Sequence, residues 1–263
     1  MAGQLLIDEP LDGVRRLTIS NPAKRNALDH AVLDGIADAV RRADHEDVRC
    51  LVLTGAHGMF SSGYDIGDLP DDVFAEEAER LVAHPFADAI AALHATDIPT
   101  LAVLPGHTIG GGLELAVTCD LRIARDGIHL GMPPAKLGLV YSHTGLRRFL
   151  HIVGEARTRE LFLLGRNVDA RTALAWGLVN EIAGAADLEG EALAWAAELA
   201  ANAPLSVRGN KRVLRALVEA RSRLDPAVEA ELIALRRACF ASDDLREGVR
   251  AFAEKRPARW SGR

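Results

Sequence analysis

Read from its first residues, the chain alternates apolar and polar positions in LLIDE and again in VRRLTIS, with the turn signal Leu11-Asp12-Gly13 between them. This pattern predicts a β-hairpin. The polar loop NPAKRNALD follows and ends at Asp29, placed to cap a helix whose apolar face is Val32, Leu33, Ile36, Ala39 and Val40. CLVLTG (50–55) and TLAVLPG (100–106) are continuous apolar runs, the signature of strands buried on both faces. Between them, 72–95 carries helical spacing, with a break expected near Pro85. HTIGGG leads into LELAVTCD, where Leu113, Ala116 and Val117 mark a buried helix face, and DLRIA and IHLGM read as two further strands. From Ser142 onward the chain reads as mostly helical, with Asp225-Pro226 as a cap and first-turn proline. Strands alternating with helices and then a helical tail predict an α/β fold, with a core over residues 1–200 and an appended helical segment over 201–263.

Composition narrows the function classes. A chain of 263 residues that is 49% hydrophobic and 26% charged can bury a sizeable core unaided. Three widely spaced cysteines, Cys50, Cys119 and Cys239, fit a reducing compartment and make neither a disulfide framework nor a thiolate metal site. The formal charge of −6 argues against a nucleic-acid surface. MAGQLLIDEP has no basic and apolar leader pattern, and no run reaches the ~20 apolar residues of a membrane span. The expectation is a soluble, cytoplasmic protein without a membrane partner.

Two glycine-bearing turns, each just after a buried strand, are the candidate chemistry. They are Ser61-Ser62-Gly63-Tyr64-Asp65-Ile66 and Gly110-Gly111-Gly112-Leu113-Glu114. A strand that runs through glycine into a helix leaves backbone N–H groups unpaired and lets a ligand approach closely. Either turn alone also reads as a simple tight turn. The second is not a dinucleotide loop, because Leu115 stands where the third glycine belongs, and no Gly-Lys-Ser/Thr follows as a phosphate loop needs.

Four segments in order resemble the crotonase (enoyl-CoA hydratase/isomerase) family: NPAKRNALD, LVLTGAHGMFSSGYDI, PGHTIGGGLELAVTCDLRIA and EGVRAFAEKRPARW. The resemblance implies a spiral of β-β-α units with a helical C-terminal segment that trimerises, giving a homotrimer or a dimer of trimers. It implies an acyl-CoA thioester substrate, with coenzyme A arriving as the substrate's carrier and neither a tightly bound cofactor nor a metal. By that likeness the N–H groups of Tyr64 and Gly111 form an oxyanion hole, with Glu114 beside it. Coenzyme A and substrate contacts fall on Ala23, Lys24, Arg25, Ser62, Gly63, Asp65, Ile66, Gly110 and Pro133. Phe252 and Lys255 match closing-helix positions that reach a neighbouring subunit's cofactor. Taken alone, Lys24 and Lys255 read as solvated surface charges.

The hydratases of that family use two carboxyl groups, one as base and one as acid. Glu114 matches the first, but Pro134 stands where the second belongs, in MPPAKLG. PPAKLGLVYSHTG and SSGYDIGDLP resemble instead the methylmalonyl-CoA decarboxylases of the family, and Tyr141 then matches their active-site tyrosine. Decarboxylation generates an enolate without a base, and the resemblance assigns Tyr141 to orienting the carboxylate or the proton-delivering group. At the first hole position Tyr64 departs from that subgroup's histidine. Three readings stand: decarboxylation of a malonyl- or methylmalonyl-type thioester, one-base isomerisation or hydration through Glu114, and acyl-CoA binding without catalysis.

Overall fold

A computed structural model describes residues 2–65, 74–221 and 224–262. Strands β1 (Gln4–Leu11) and β2 (Val14–Ser20) form the expected antiparallel hairpin. Its Asp12-Gly13 turn places Gly13 at φ +69°, a left-handed conformation natural to glycine. Helix α1 (His30–Ala43) starts where the Asp29 carboxylate accepts the N–H of Val32. Strand β3 (Cys50–Gly55) follows. Next come α2 (Phe74–Leu81) and α3 (Ala87–Ala95), joined by a wide helical turn over Val82–Phe86. Pro85 thus distorts the helical stretch and does not end it, because the wider turn accommodates a residue without an N–H.

The chain continues through β4 (Thr100–Leu104), β5 (Thr108–Ile109), α4 (Gly111–Thr118), β6 (Leu121–Arg125) and β7 (His129–Gly131). A 3-10 turn over Pro134–Leu137 leads to α5 (His143–Arg159). Two strands then interrupt the stretch read as helical: β8 (Asn167–Asp169) and β9 (Glu181–Ala183), flanking α6 (Ala170–Ala175). Three residues each are too few to register an alternation in sequence. Helices α7 (Leu188–Ala201), α8 (Pro204–Ala220), α9 (Pro226–Phe240) and α10 (Asp243–Ala253) complete the chain, with Asp225 capping α9 as expected.

The main sheet has the order β1-β2-β3-β4-β6-β9, and a smaller sheet has the order β5-β7-β8. In the main sheet only the β1–β2 pair is antiparallel. Its period-2 alternation separates two cores. Cys50, Val52, Leu101, Val103 and Ile123 pack with Leu188, Ala192 and Ala196 of α7. Leu51, Leu53, Ala102 and Leu104 face the other way, in the larger core shared with α1 and α3. Both faces of the central strands are therefore covered, and their C-terminal ends carry the two glycine turns.

Candidate active site

The first turn is pinned to the loop before α1. Leu28 donates its N–H to the carbonyl of Gly63 at 2.8 Å and accepts the N–H of Asp65 at 3.0 Å. Leu28 thereby bridges across Tyr64 in parallel fashion, which turns the Tyr64 N–H away from it. The turn is also tied to the second one: Ile109 donates its N–H to the Ser61 carbonyl at 3.0 Å. Gly63 sits at φ +100° and Gly110 at φ +56°, ψ −126°, a conformation that side-chain-bearing residues avoid. The two turns lie in contact, since a methyl on Gly63 would stand 3.6 Å from the Gly111 nitrogen. Gly111 opens α4, so its N–H has no acceptor within the helix. Among the described residues no hydrogen bond uses the N–H of Tyr64 or of Gly111. Two such donors on one cavity wall can hold an oxygen on which negative charge develops.

That cavity has a volume of about 670 Å³, and its wall includes Arg25, Ser62, Gly63, Tyr64, Gly110, Gly111, Pro133, Pro134, Tyr141 and Phe252. The structure thus brings together most of the residues singled out in sequence. Ala23, Lys24, Asp65, Glu114 and Lys255 are not on the wall, and Ile66 lies outside the described residues. Lys24 donates from Nζ to both oxygens of Asp65 at 2.9 Å, an ion pair that ties the first loop to the first turn. Phe252 and Val249 of α10 line the cavity of their own chain. The close fit of α10 over Leu137 puts them there, since a methyl on Gly248 would meet the Leu137 carbonyl at 2.3 Å.

Glu114 stands behind the wall, 2% exposed. Oε2 accepts the Tyr141 hydroxyl at 2.6 Å and Oε1 accepts Nη1 of Arg148 at 2.9 Å. Burial raises its pKa above the ordinary carboxylate value, while the Arg148 charge and the Tyr141 hydrogen bond pull it back. The Tyr141 hydroxyl also lies 3.2 Å from that of Tyr64. Burial and the nearby Glu114 carboxylate push both phenols well above their usual range. Gly145 makes room for this group, because a methyl there would lie 2.7 Å from Cε1 of Tyr141 and 2.9 Å from Oε1 of Glu114.

Sequence reasoning missed Arg148, whose distance along the chain from Glu114 leaves no local signal. It also missed the polarity of the wall. Arg25, Lys136, His107 and His129 line the cavity, and no carboxylate does among the described residues. Nδ1 of His107 accepts the backbone N–H of His129 at 2.9 Å. Burial, His129 and Arg125 lower the His107 pKa, which favours its neutral ring.

The two glycine turns thus bring two N–H groups without a partner among the described residues to the wall of a cavity that also carries Arg25 and Lys136. The family model for enoyl-CoA hydratase/isomerase matches residues 9–263. The "probable enoyl-CoA hydratase echA6" of Mycobacterium tuberculosis is 32% identical over 255 residues, covering 95% of this chain and 97% of its own. The 2,3-dehydroadipyl-CoA hydratase of Escherichia coli K12 is 30% identical over 253 residues, covering 94% of each. Among solved structures, methylmalonyl-CoA decarboxylase complexed with 2S-carboxypropyl-CoA superposes with a TM-score of 0.89 at 26% identity, over 100% of both chains. The chain belongs to the enoyl-CoA hydratase/isomerase family of the crotonase superfamily and has its α/β spiral fold with a helical C-terminal segment. It is a crotonase-family enzyme, of a family that acts on coenzyme A thioesters without a tightly bound cofactor.

Proposed function

We propose that this enzyme holds the enolate of an acyl-CoA thioester between the N–H groups of Tyr64 and Gly111, and that the enolate arises by decarboxylation of a malonyl- or methylmalonyl-type thioester. The observation that carries this reading is the absence of any carboxylate from the cavity wall among the described residues. By the family resemblance Pro134, which lines the cavity, stands where the hydratases have their second acid, and both oxygens of Glu114 are held by Tyr141 and Arg148. Loss of CO2 needs no base. It needs donors where negative charge appears, and each such N–H supplies about 2.7–4 kcal/mol of transition-state stabilisation. Arg25 and Lys136 suit the coenzyme's phosphates, and Tyr141 orients the departing carboxylate or the group that returns the proton.

The test is an assay of the purified protein for propionyl-CoA formed from methylmalonyl-CoA, beside crotonyl-CoA hydration. Decarboxylation is the expected activity; its absence alongside active hydration would overturn the reading. Hydration or isomerisation is the second reading, favoured by the names of the relatives, with Glu114 moving the proton through Tyr141.

We assign residues 201–263 to assembly as a homotrimer or a dimer of trimers. On α8, Arg208, Lys211 and Arg215 donate to Val48, Ile98 and the end of α3, while Leu205, Leu214 and Leu217 stay exposed. That leaves an apolar face for another copy. No helix among the described residues is long and apolar enough to cross a membrane, and we place the protein in the cytoplasm.

A further inference from the structure

We infer that the side chain of Tyr64 sets the length of acyl group the site accepts. With Tyr141 it closes the inner end of the cavity and restricts the substrate to short acyl chains. The inference rests on the acyl-thioester reading above.

Three contacts hold the Tyr64 ring. It packs T-shaped with Phe86 at 4.8 Å between ring centroids and 83° between planes, and its hydroxyl meets that of Tyr141 at 3.2 Å. Its face lies so close to Gly111 that a methyl there would stand 2.5 Å from Cε1. Tyr141 in turn packs on Phe162 at 5.4 Å. Tyr64 and Tyr141 line the cavity, whereas Phe86 and Phe162 are buried and do not. The two phenols are therefore a partition, with Phe86 behind Tyr64 and with Phe162 and the Glu114–Arg148 pair behind Tyr141.

The partition stands beside the N–H of Gly111, and so beside any thioester carbonyl held there. An acyl chain leaving that carbonyl meets the Tyr64 ring within a few bonds. Truncating the ring opens space toward Phe86, in the wide turn over Val82–Phe86, without touching the Tyr64 N–H. Tyr64→Phe keeps the ring and removes only the hydroxyl.

Binding of saturated acyl-CoAs from acetyl to octanoyl, measured by calorimetry on the full-length wild type, Tyr64→Ala and Tyr64→Phe, tests this. The wild type should bind octanoyl-CoA about tenfold or more weakly than butyryl-CoA. Tyr64→Ala should erase that ratio, and Tyr64→Phe should keep it. A wild type that binds all lengths alike overturns the inference even if Tyr64→Ala does not fold. So does a Tyr64→Ala profile that superimposes on the wild type's. Failure of every acyl-CoA to bind overturns the thioester reading itself, an outcome distinct from binding without length preference.

Discussion

The Tyr141 hydroxyl donates a 2.6 Å hydrogen bond to Oε2 of Glu114, connecting a carboxylate that the cavity does not reach to a phenol that lines it. A phenol has one proton to give. With that proton on Glu114, Tyr141 accepts from Tyr64, and the order Tyr64 to Tyr141 to Glu114 becomes directional. Arg148 on Oε1 completes the row. In this arrangement Glu114 holds the Tyr141 hydroxyl, and Tyr141 lines the cavity.

Replacing Glu114 by Gln separates positioning from proton transfer. The amide retains one acceptor and removes the charge. As a positioning residue, Glu114→Gln should lower kcat/KM for decarboxylation by about tenfold, well short of the ~10²–10⁴ carried by a general acid or base. Steady-state kinetics with methylmalonyl-CoA checks this, and a loss in the higher range would make Glu114 the proton-transferring group.

Tyr141→Phe should preserve the packing on Phe162 yet leave Oε2 of Glu114 buried without a donor. The expected cost is about 1–3 kcal/mol of stability, read from denaturant unfolding. Turnover should fall by about 10²-fold or more, as for a residue that orients the reacting group. Stability lost with turnover intact would reduce Tyr141 to a packing role.

Arg148→Met should make stability depend more steeply on pH. The pKa of Glu114 is already raised in the folded state, so its contribution is fully present below the ordinary carboxylate range and is lost as pH rises through the raised value. Without Arg148 that value moves higher, and as pH rises the folded protein must either keep Glu114 protonated against the solvent or bury its charge unpaired, each at a cost in stability. The deficit relative to wild type should be smallest at acid pH, where Glu114 is protonated with or without Arg148, and should grow as pH rises above the ordinary carboxylate range. Unfolding curves at a series of pH values decide it; a deficit constant with pH would mean that Arg148 does not hold an ionised Glu114.

What was legible in the sequence were features written locally. The Asp12-Gly13 turn, the Asp29 cap and the apolar runs of β3 and β4 each fit within a few residues, and the structure places them as expected. The two glycine turns were legible for the same reason, since Gly63 and Gly110 mark backbone conformations few other residues adopt. Strands β8 and β9 were not, because three residues carry no period and their pairing partners lie far away in sequence. Arg148 was hidden behind an ordinary helical pattern, and its role exists only once α4 and α5 pack. The partition formed by Tyr64 and Tyr141 was equally hidden, because nothing near either residue names the other.

Gly111→Ala probes the meeting point of the two turns. The added methyl would lie 2.5 Å from Cε1, 2.9 Å from Cδ1 and 3.1 Å from Cζ of Tyr64. The ring cannot simply swing aside, because Phe86 and the Tyr141 hydroxyl hold it. Either the ring or the start of α4 must shift, at about 1–3 kcal/mol of stability. A shift of α4 carries the Gly111 N–H out of line with that of Tyr64. Losing one such donor corresponds to a fall of about 10²–10³ in kcat. The expected variant is folded, binds coenzyme A thioesters with little change in Kd and turns them over about a hundredfold more slowly. Parallel measurement of Kd and kcat distinguishes the cases. Equal losses in both would mean that the methyl blocks the cavity, whereas an unchanged kcat would show that the Gly111 N–H takes no part in holding the enolate.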